Sequence, residues 1–411
     1  MTPTTGALSG IRVLDLTRVL AAPFSTQILG DLGADVIKVE RTGVGDDGRK
    51  YGFSWLKDSS GQSTQDSSFY VCCNRNKRSV TVDLSKPEGQ DIVRDLASHS
   101  DVLVENYKVG DLKRYRLDYE SLKPLNSRLI YCSVTGFGQT GPSASRPGYD
   151  GLFQAQGGMM AVTGIPDGQP GAGPLKAGPS LVDVFTGHNA AIAILAALIH
   201  RQHSGEGQYI DMALLDCSVA MVSHIMQDYL MSGIAPPRLG NGGSGGGPAD
   251  LIECKDGIVY LTTGTEEHWR RLCELMKRPE WIADPRFATN LLRGQNRSEL
   301  LTLINQWSRQ WPANDLLELF EQSGLAAARY NELPQVWEVP QVQHRGLRVR
   351  MPHPAAGTVD LIGSPMAHMS ATPARITRAP PMLGEHTGEI LSSVLGLSEA
   401  RISELRQKNI I

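Results

Sequence analysis

The chain has 411 residues, 41% of them hydrophobic and 20% charged, a globular composition long enough for two domains of ordinary size. Its 40 basic and 43 acidic residues leave a net charge of −3, which gives no electrostatic footprint for nucleic acid or an anionic membrane. Residues 1–9 lack the basic and apolar regions of a secretory signal, and the longest apolar run, residues 190–199, is about half a bilayer span, so a cytoplasmic protein with no membrane partner is expected.

In chain order, residues 11–16 (IRVLDL) predict a first strand, Pro23 opens a helix ending before Gly33, and residues 34–40 (ADVIKVE) alternate as a second strand. This is a βαβ unit with parallel pairing and a right-handed crossover. Residues 79–84 predict a strand, 87–97 a helix, and 101–105 and 128–134 two further strands. Strands separated by helix-length segments predict an α/β fold with an open, mostly parallel, Rossmann-like sheet. Residues 181–203 predict a long helix, apolar on nearly every side and therefore buried, followed by a strand at 208–212 and a helix from about 214.

The run LGNGGSGGG at 239–247 holds six glycines and is too flexible for a regular element, which marks a linker or a mobile active-site loop. Beyond it, a strand at 256–263 and helices at 266–277 and 297–310 predict a smaller domain ending near residue 338. Short strand patterns at 346–365 and helices at 383–395 and 399–408 close the chain.

Several motifs carry two readings. GVGDDG at 43–48 matches the dinucleotide fingerprint GxGxxG, but it follows the second strand rather than the first and no helical period follows it, which disfavours a nicotinamide or flavin enzyme. Arg41, at the end of the second strand, is either a solvated arginine or a planar fork for a phosphate. The basic clusters NRNKRS at 74–79 and Lys113-Arg114 are either solvated faces or phosphate-facing groups. The six cysteines contain no CxxC and read as small buried hydrophobes. His200 and His203 lack a third ligand for a metal set, and no nucleophile elbow or P-loop occurs.

Asp183 lies in the mostly apolar stretch SLVDVFTG at 180–187, at the head of the long helix. An acid there is costly unless it caps the helix or does chemistry. It is either an N-cap or a carboxylate nucleophile, with the helix N-terminus favouring its charged form and nearby backbone N–H groups available to oxyanions. Asp150, after Tyr149, offers a second carboxylate that also reads as a turn residue.

Taken together, LSGIRVLDLT at 8–17, GADVIKVER at 33–41, NKRS at 76–79, VENY at 104–107, GFGQTGP at 136–142 and LGEHT at 383–387 resemble the class III CoA-transferase family, which includes formyl-CoA and carnitine CoA-transferases and the α-methylacyl-CoA racemases. The resemblance implies Asp183 as the catalytic nucleophile, forming an aspartyl acyl-enzyme and an enzyme–CoA thioester. It implies a CoA-contacting set of Val19, Leu20, Ala21, Arg41, Val82, Asp83, Leu84, Asn106, Tyr107, Lys108, Arg114, Arg146 and Tyr149. Asp150 is implied at the substrate, with Gly245, Gly246 and Gly247 in a loop closing over the aspartate.

In the racemases a histidine partners the aspartate where this chain has Tyr149. A tyrosine, with a reference pKa of about 10, is a poor base near neutrality, which speaks for transfer. The formyl-CoA enzymes carry a glutamine at the position of Leu20, which speaks against formyl-CoA and oxalate. NLLRGQNR at 290–297 and PQVQHRG at 340–346 are similar to succinyl-CoA:glutarate-type transferases and imply short dicarboxylates.

The family fold further implies a large Rossmann-like domain from residues 1–225 and 339–411, a linker, glycine loop and small α+β domain from 226–338, and an interlocked homodimer. The implied substrates are an acyl-CoA thioester and a small carboxylic acid, with no permanently bound cofactor.

Overall fold

Six short strands build the main sheet: β1 (Arg12–Asp15), β2 (Asp35–Glu40), β3 (Lys77–Thr81), β4 (Val102–Glu105), β5 (Ile130–Thr135) and β6 (Tyr209–Ala213). The computed structural model in which they appear describes residues 6–243 and 247–411. All five pairings are parallel, in the order β6-β5-β4-β1-β2-β3. The chain runs outward from β1 to β3, then returns to the other side of β1. That reversal makes a topological switch point between β1 and β4, where doubly wound sheets open a crevice at the strands' carboxyl ends.

Side chains alternate between the two faces, and each face has its own core. Val13, Val36, Val102 and Ile130 meet helices α1 (Ala21–Asp31) and α4 (Leu181–Ser204) through Ile28, Leu29, Ala190 and Ile194. Leu14, Ile37, Leu103 and Tyr131 meet α2 (Pro87–Ser98), α9 (Thr387–Ser393) and α10 (Glu399–Gln407) through Val93, Leu96, Ile390 and Leu405. Burial on both faces explains why the strands read as continuous Val/Ile/Leu runs.

Of the remaining numbered helices, α3 (Asp150–Gln156) and α5 (Leu214–Ser232) belong with this sheet. Contacts divide the chain into two units, one of residues 1–159, 176–234 and 343–411, the other of residues 160–175 and 235–342. In the second, strands β7 (Ala249–Cys254), β8 (Gly257–Thr262) and β9 (Ala326–Arg329) form an antiparallel sheet. Helices α6 (Glu266–Leu275), α7 (Arg297–Ser308) and α8 (Ala313–Gln322) supply Trp269, Leu300 and Phe320 to its core.

Three expectations are corrected. The cluster at 74–79 is neither a solvated face nor phosphate-facing. Lys77 is fully buried and paired with Asp15 at 2.9 Å, Arg75 pairs with Asp31 at 2.6 Å, and Arg78 with Asp35 at 2.7 Å. These bonds draw Lys77 into β3, which begins two residues earlier than the apolar run suggests. Cys72 is exposed, while the other five cysteines are buried thiols. Finally, α4 is long and apolar enough to cross a bilayer, yet it is a core helix buried along one face, leaving Ile192 and Ile199 exposed on the other.

Candidate active site

The turn from β1 into α1 lies at the switch point, and buried polar groups fix its shape. Asp15 Oδ1 accepts from the Thr17 backbone N–H at 2.8 Å and from its hydroxyl at 2.5 Å. The buried Lys38 ammonium donates to Thr17 O at 2.9 Å. Asn106, just after β4, clamps Arg18: its Oδ1 accepts from Arg18 N at 2.9 Å and its Nδ2 donates to Arg18 O at 2.7 Å. Val19 is held at φ +74°, a costly conformation for a β-branched residue, with its N–H donating to Asp46 Oδ1 at 2.9 Å. Asp46 belongs to the glycine phrase at 43–48, so that phrase braces the first turn rather than cradling a pyrophosphate.

Helix α4 approaches this turn closely because residue 187 is glycine. A Cβ there would come within 2.6 Å of Ala21 O, so any other residue would push α4 from α1. Gly148 works similarly: a Cβ would meet the Phe153 ring at 2.3 Å, and its absence lets the chain turn into α3.

Two adjoining cavities share Arg18 and Tyr107, whose ring lies 4.7 Å beneath the Arg18 guanidinium. The first, about 310 Å³, is lined by Asp183 together with Val19, Leu20, Ala21, Asn106, Tyr107, Lys108, Arg146 and Tyr149. The second, about 290 Å³, is lined by Arg41, Val82, Asp83, Leu84, Tyr107 and Arg114. The fold thus gathers residues scattered from 19 to 183 around two cavities that share a wall at Arg18 and Tyr107.

Asp183, on the first turn of α4, is not the helix cap: Ser180 holds that position, and its side chain makes no cap bond. The N–H groups of Val182 and Asp183 are instead taken by Asp150, whose Oδ2 accepts them at 2.8 and 3.2 Å. Val184 N donates to Ser180 O, so these three amides are engaged and do not face an oxyanion. The expectation that the helix end favours the charged form of Asp183 is also reversed. Burial, then the neighbouring Asp150 charge, raises its carboxyl to about 7.

Other residues sit differently from expectation. Asp83 lines the second cavity with its polar groups engaged: its N–H donates to Ile410 O at 2.7 Å, and its Oδ1 accepts from Ser85 N at 2.9 Å and Ser85 Oγ at 2.6 Å. Asp150 is the first residue of α3 and only 6% exposed, while Tyr149 beside it is 66% exposed. Arg146 stacks 5.2 Å from the Phe137 ring centroid, and Arg114 lies over Tyr115 at 4.6 Å. Gly245 and Gly246 lie outside the described residues. Gly247 donates its N–H to Asn290 Oδ1 at 2.9 Å and accepts from Arg293 Nε at 2.7 Å, within the second unit. Among the described residues no group of three or more His, Cys, Asp or Glu side chains could hold a metal ion.

Sequence reasoning missed Arg18 and Asp47. Asp47 bridges two arginines, Arg18 at 3.0 Å and Arg41 at 2.6 Å, so Arg41 is ion-paired while its side chain stays about half exposed at the second cavity. The position of Arg18, just past the first strand of a doubly wound sheet, was the available signal.

The family model described as CoA-transferase family III matches residues 8–387. The succinate–glutarate CoA-transferase of Agrobacterium fabrum is 43% identical over 94% of this chain and 95% of its own length. The human succinyl-CoA:glutarate CoA-transferase is 38% identical over 98% and 90%. Among solved structures, a CaiB/BaiF family protein from Brucella suis superposes with a TM-score of 0.84 at 39% identity, covering 95% of this chain and all of that one. The crevice at the switch point and these matches along nearly the whole chain lead to one conclusion: this protein belongs to CoA-transferase family III.

Proposed function

We propose that this enzyme moves CoA from succinyl-CoA to a small dicarboxylic acid, with glutarate the first acceptor to try, through covalent intermediates on Asp183. The observation that carries the proposal is a partly buried carboxylate that no described cation pairs, raised to about 7 and facing the crevice that gathers the expected CoA contacts. The substrate class is supported by the names of the two transferase relatives.

Asp183 attacks the donor thioester carbonyl, the C–S bond breaks, and an aspartyl–acyl anhydride and CoA thiolate form. The thiolate attacks the aspartyl carbonyl, releasing the donor acid and leaving an aspartyl–CoA thioester. The acceptor carboxylate attacks that thioester and expels the thiolate again. Attack of the thiolate on the acceptor's acyl carbonyl then yields the new acyl-CoA and restores the Asp183 carboxylate. Arg18, Arg41, Lys108 and Arg114 offer cations along the crevice for the phosphates that retain CoA between steps. No permanently bound cofactor is needed, since every step is acyl transfer. Working as an interlocked homodimer in the cytoplasm completes the proposal.

The test incubates the purified protein in heavy water with succinyl-CoA, a panel of free mono- and dicarboxylates, and a 2-methylacyl-CoA, reading all CoA esters by mass spectrometry. A new acyl-CoA matching one added acid is expected. An unchanged ester set with deuterium at the 2-methyl centre would make the enzyme a racemase instead.

A further inference from the structure

The nucleophile's own backbone is held by another acid. Asp150 Oδ2 accepts the N–H groups of Val182 and Asp183, while Oδ1 accepts from Gln154 Nε2 at 2.6 Å. Gln154 is fully buried and oriented in turn, its Oε1 accepting from Ala177 N at 2.9 Å. Asp150 therefore has one orientation, fixed by three donors, against the amide of the residue that does the chemistry. A serine, threonine or asparagine cap would satisfy the same N–H groups without a charge. A carboxylate there puts two anions side by side, and among the described residues neither is ion-paired with a cation.

Resting on the reading of Asp183 as nucleophile, we infer that Asp150 is a positioning residue: it caps α4 from a different helix, fixes the backbone at Asp183, and by its charge favours the covalent states of Asp183 over the free carboxylate. In the anhydride and in the CoA thioester Asp183 is uncharged, so forming either relieves the repulsion with Asp150. The free carboxylate is correspondingly a stronger base and a better nucleophile.

Other titratable groups approach from each neighbouring element. Arg18 comes from the β1–α1 turn, Asp47 and Tyr51 from the segment after β2, Tyr107 and Lys108 from the loop after β4, and Arg146 and Tyr149 from the segment before α3. Cys217 comes from α5, its Sγ 3.6 Å from Met212 Sδ, and His188 lies one turn along α4 against Phe24. Besides burial, Asp150 alone among the described groups shifts Asp183. Glu105, beneath the crevice, is raised to about 7 by its own burial and serves as the control.

The experiment records kcat and KM against pH for the wild type, Asp150→Asn, Asp150→Glu, Glu105→Gln and Asp183→Ala. Asp150→Asn is expected to lower kcat roughly tenfold or more, to leave KM for the acyl-CoA within about twofold, and to move the acidic limb of kcat/KM to lower pH. Asp150→Glu, which keeps the charge, should keep the limb near its original position. Asp150→Ser, smaller and still an acceptor, replaces the asparagine variant should that variant not fold. A limb unmoved by loss of the charge, or one that moves with Glu105→Gln instead, would overturn the inference while Asp183→Ala remained inactive. Retained turnover in Asp183→Ala would overturn the nucleophile reading itself, and this inference with it.

Discussion

Two aspartates of unit 1, Asp15 and Asp183, both penalised by desolvation, have opposite fates. Asp15, at the end of β1, is fully buried, and burial works against its charge. Lys77, Lys38 and the Thr17 hydroxyl outweigh that and hold its carboxyl down at about 2. Asp183, at the head of α4, is only partly buried, yet desolvation with no described cation against it and Asp150 beside it raises it to about 7. The lesson is that desolvation alone does not assign a role. A buried acid with compensating cations is scaffold, and one whose neighbours oppose its charge is a candidate for chemistry.

Breaking each side of this contrast should produce different losses. Asp183→Ala should abolish CoA exchange, a loss on the order of 10³-fold or more in kcat, while isothermal titration still finds CoA binding. Lys77→Met should leave Asp15 buried without its main partner and cost about 3–5 kcal/mol of stability, read by denaturant unfolding. Arg41→Ala should remove a cation lining the second cavity and free Asp47; if that cation holds a CoA phosphate as proposed, KM for the acyl-CoA rises roughly 10- to 100-fold, with kcat little changed, as about 1.5–3 kcal/mol of charge-assisted bonding is lost.

The smallest effect concerns pH and stability. The folded carboxyl of Asp183 lies above its unfolded value, so the native state holds the extra proton between about pH 4 and 7. Stability contributed at low pH is therefore lost as pH rises through about 7. Asp183→Asn removes that loss and should be more stable than the wild type at pH 8, by on the order of 1–3 kcal/mol, with little difference at pH 4. Paired melting curves at the two pH values check it. Asp15 has the opposite sign: its contribution is present above pH 4 and is lost as pH falls toward 2.

Much of the sheet was legible because its strands are buried on both faces and punctuated by helix-length segments. Strand β3 was displaced by two residues because a hydrophobic run cannot reveal that Lys77 is drawn inward by an acid 62 positions earlier in the chain. The second unit's strand β7 and helix α8 escaped notice, as did the membership of residues 160–175 in that unit, since short alternating stretches carry little signal. Asp183 stood out as an acid in apolar surroundings, and most of the crevice followed from the family resemblance. Asp150 read as a turn residue, because its three donors come from Gln154 and from two amides more than 30 positions away. A contact of that kind has no local pattern.

The central claim is that Asp183 itself carries the CoA between two acids. Its most direct test is a limited-turnover reaction of succinyl-CoA with glutarate labelled with ¹⁸O in both carboxylates, followed by peptide mass mapping. When the labelled acceptor attacks the aspartyl thioester, its bridging oxygen remains on Asp183 as the new glutaryl-CoA departs. The account predicts one ¹⁸O on the Asp183 side chain. New glutaryl-CoA formed with Asp183 unlabelled would mean that the two acids exchange CoA without passing through this residue, and would contradict it.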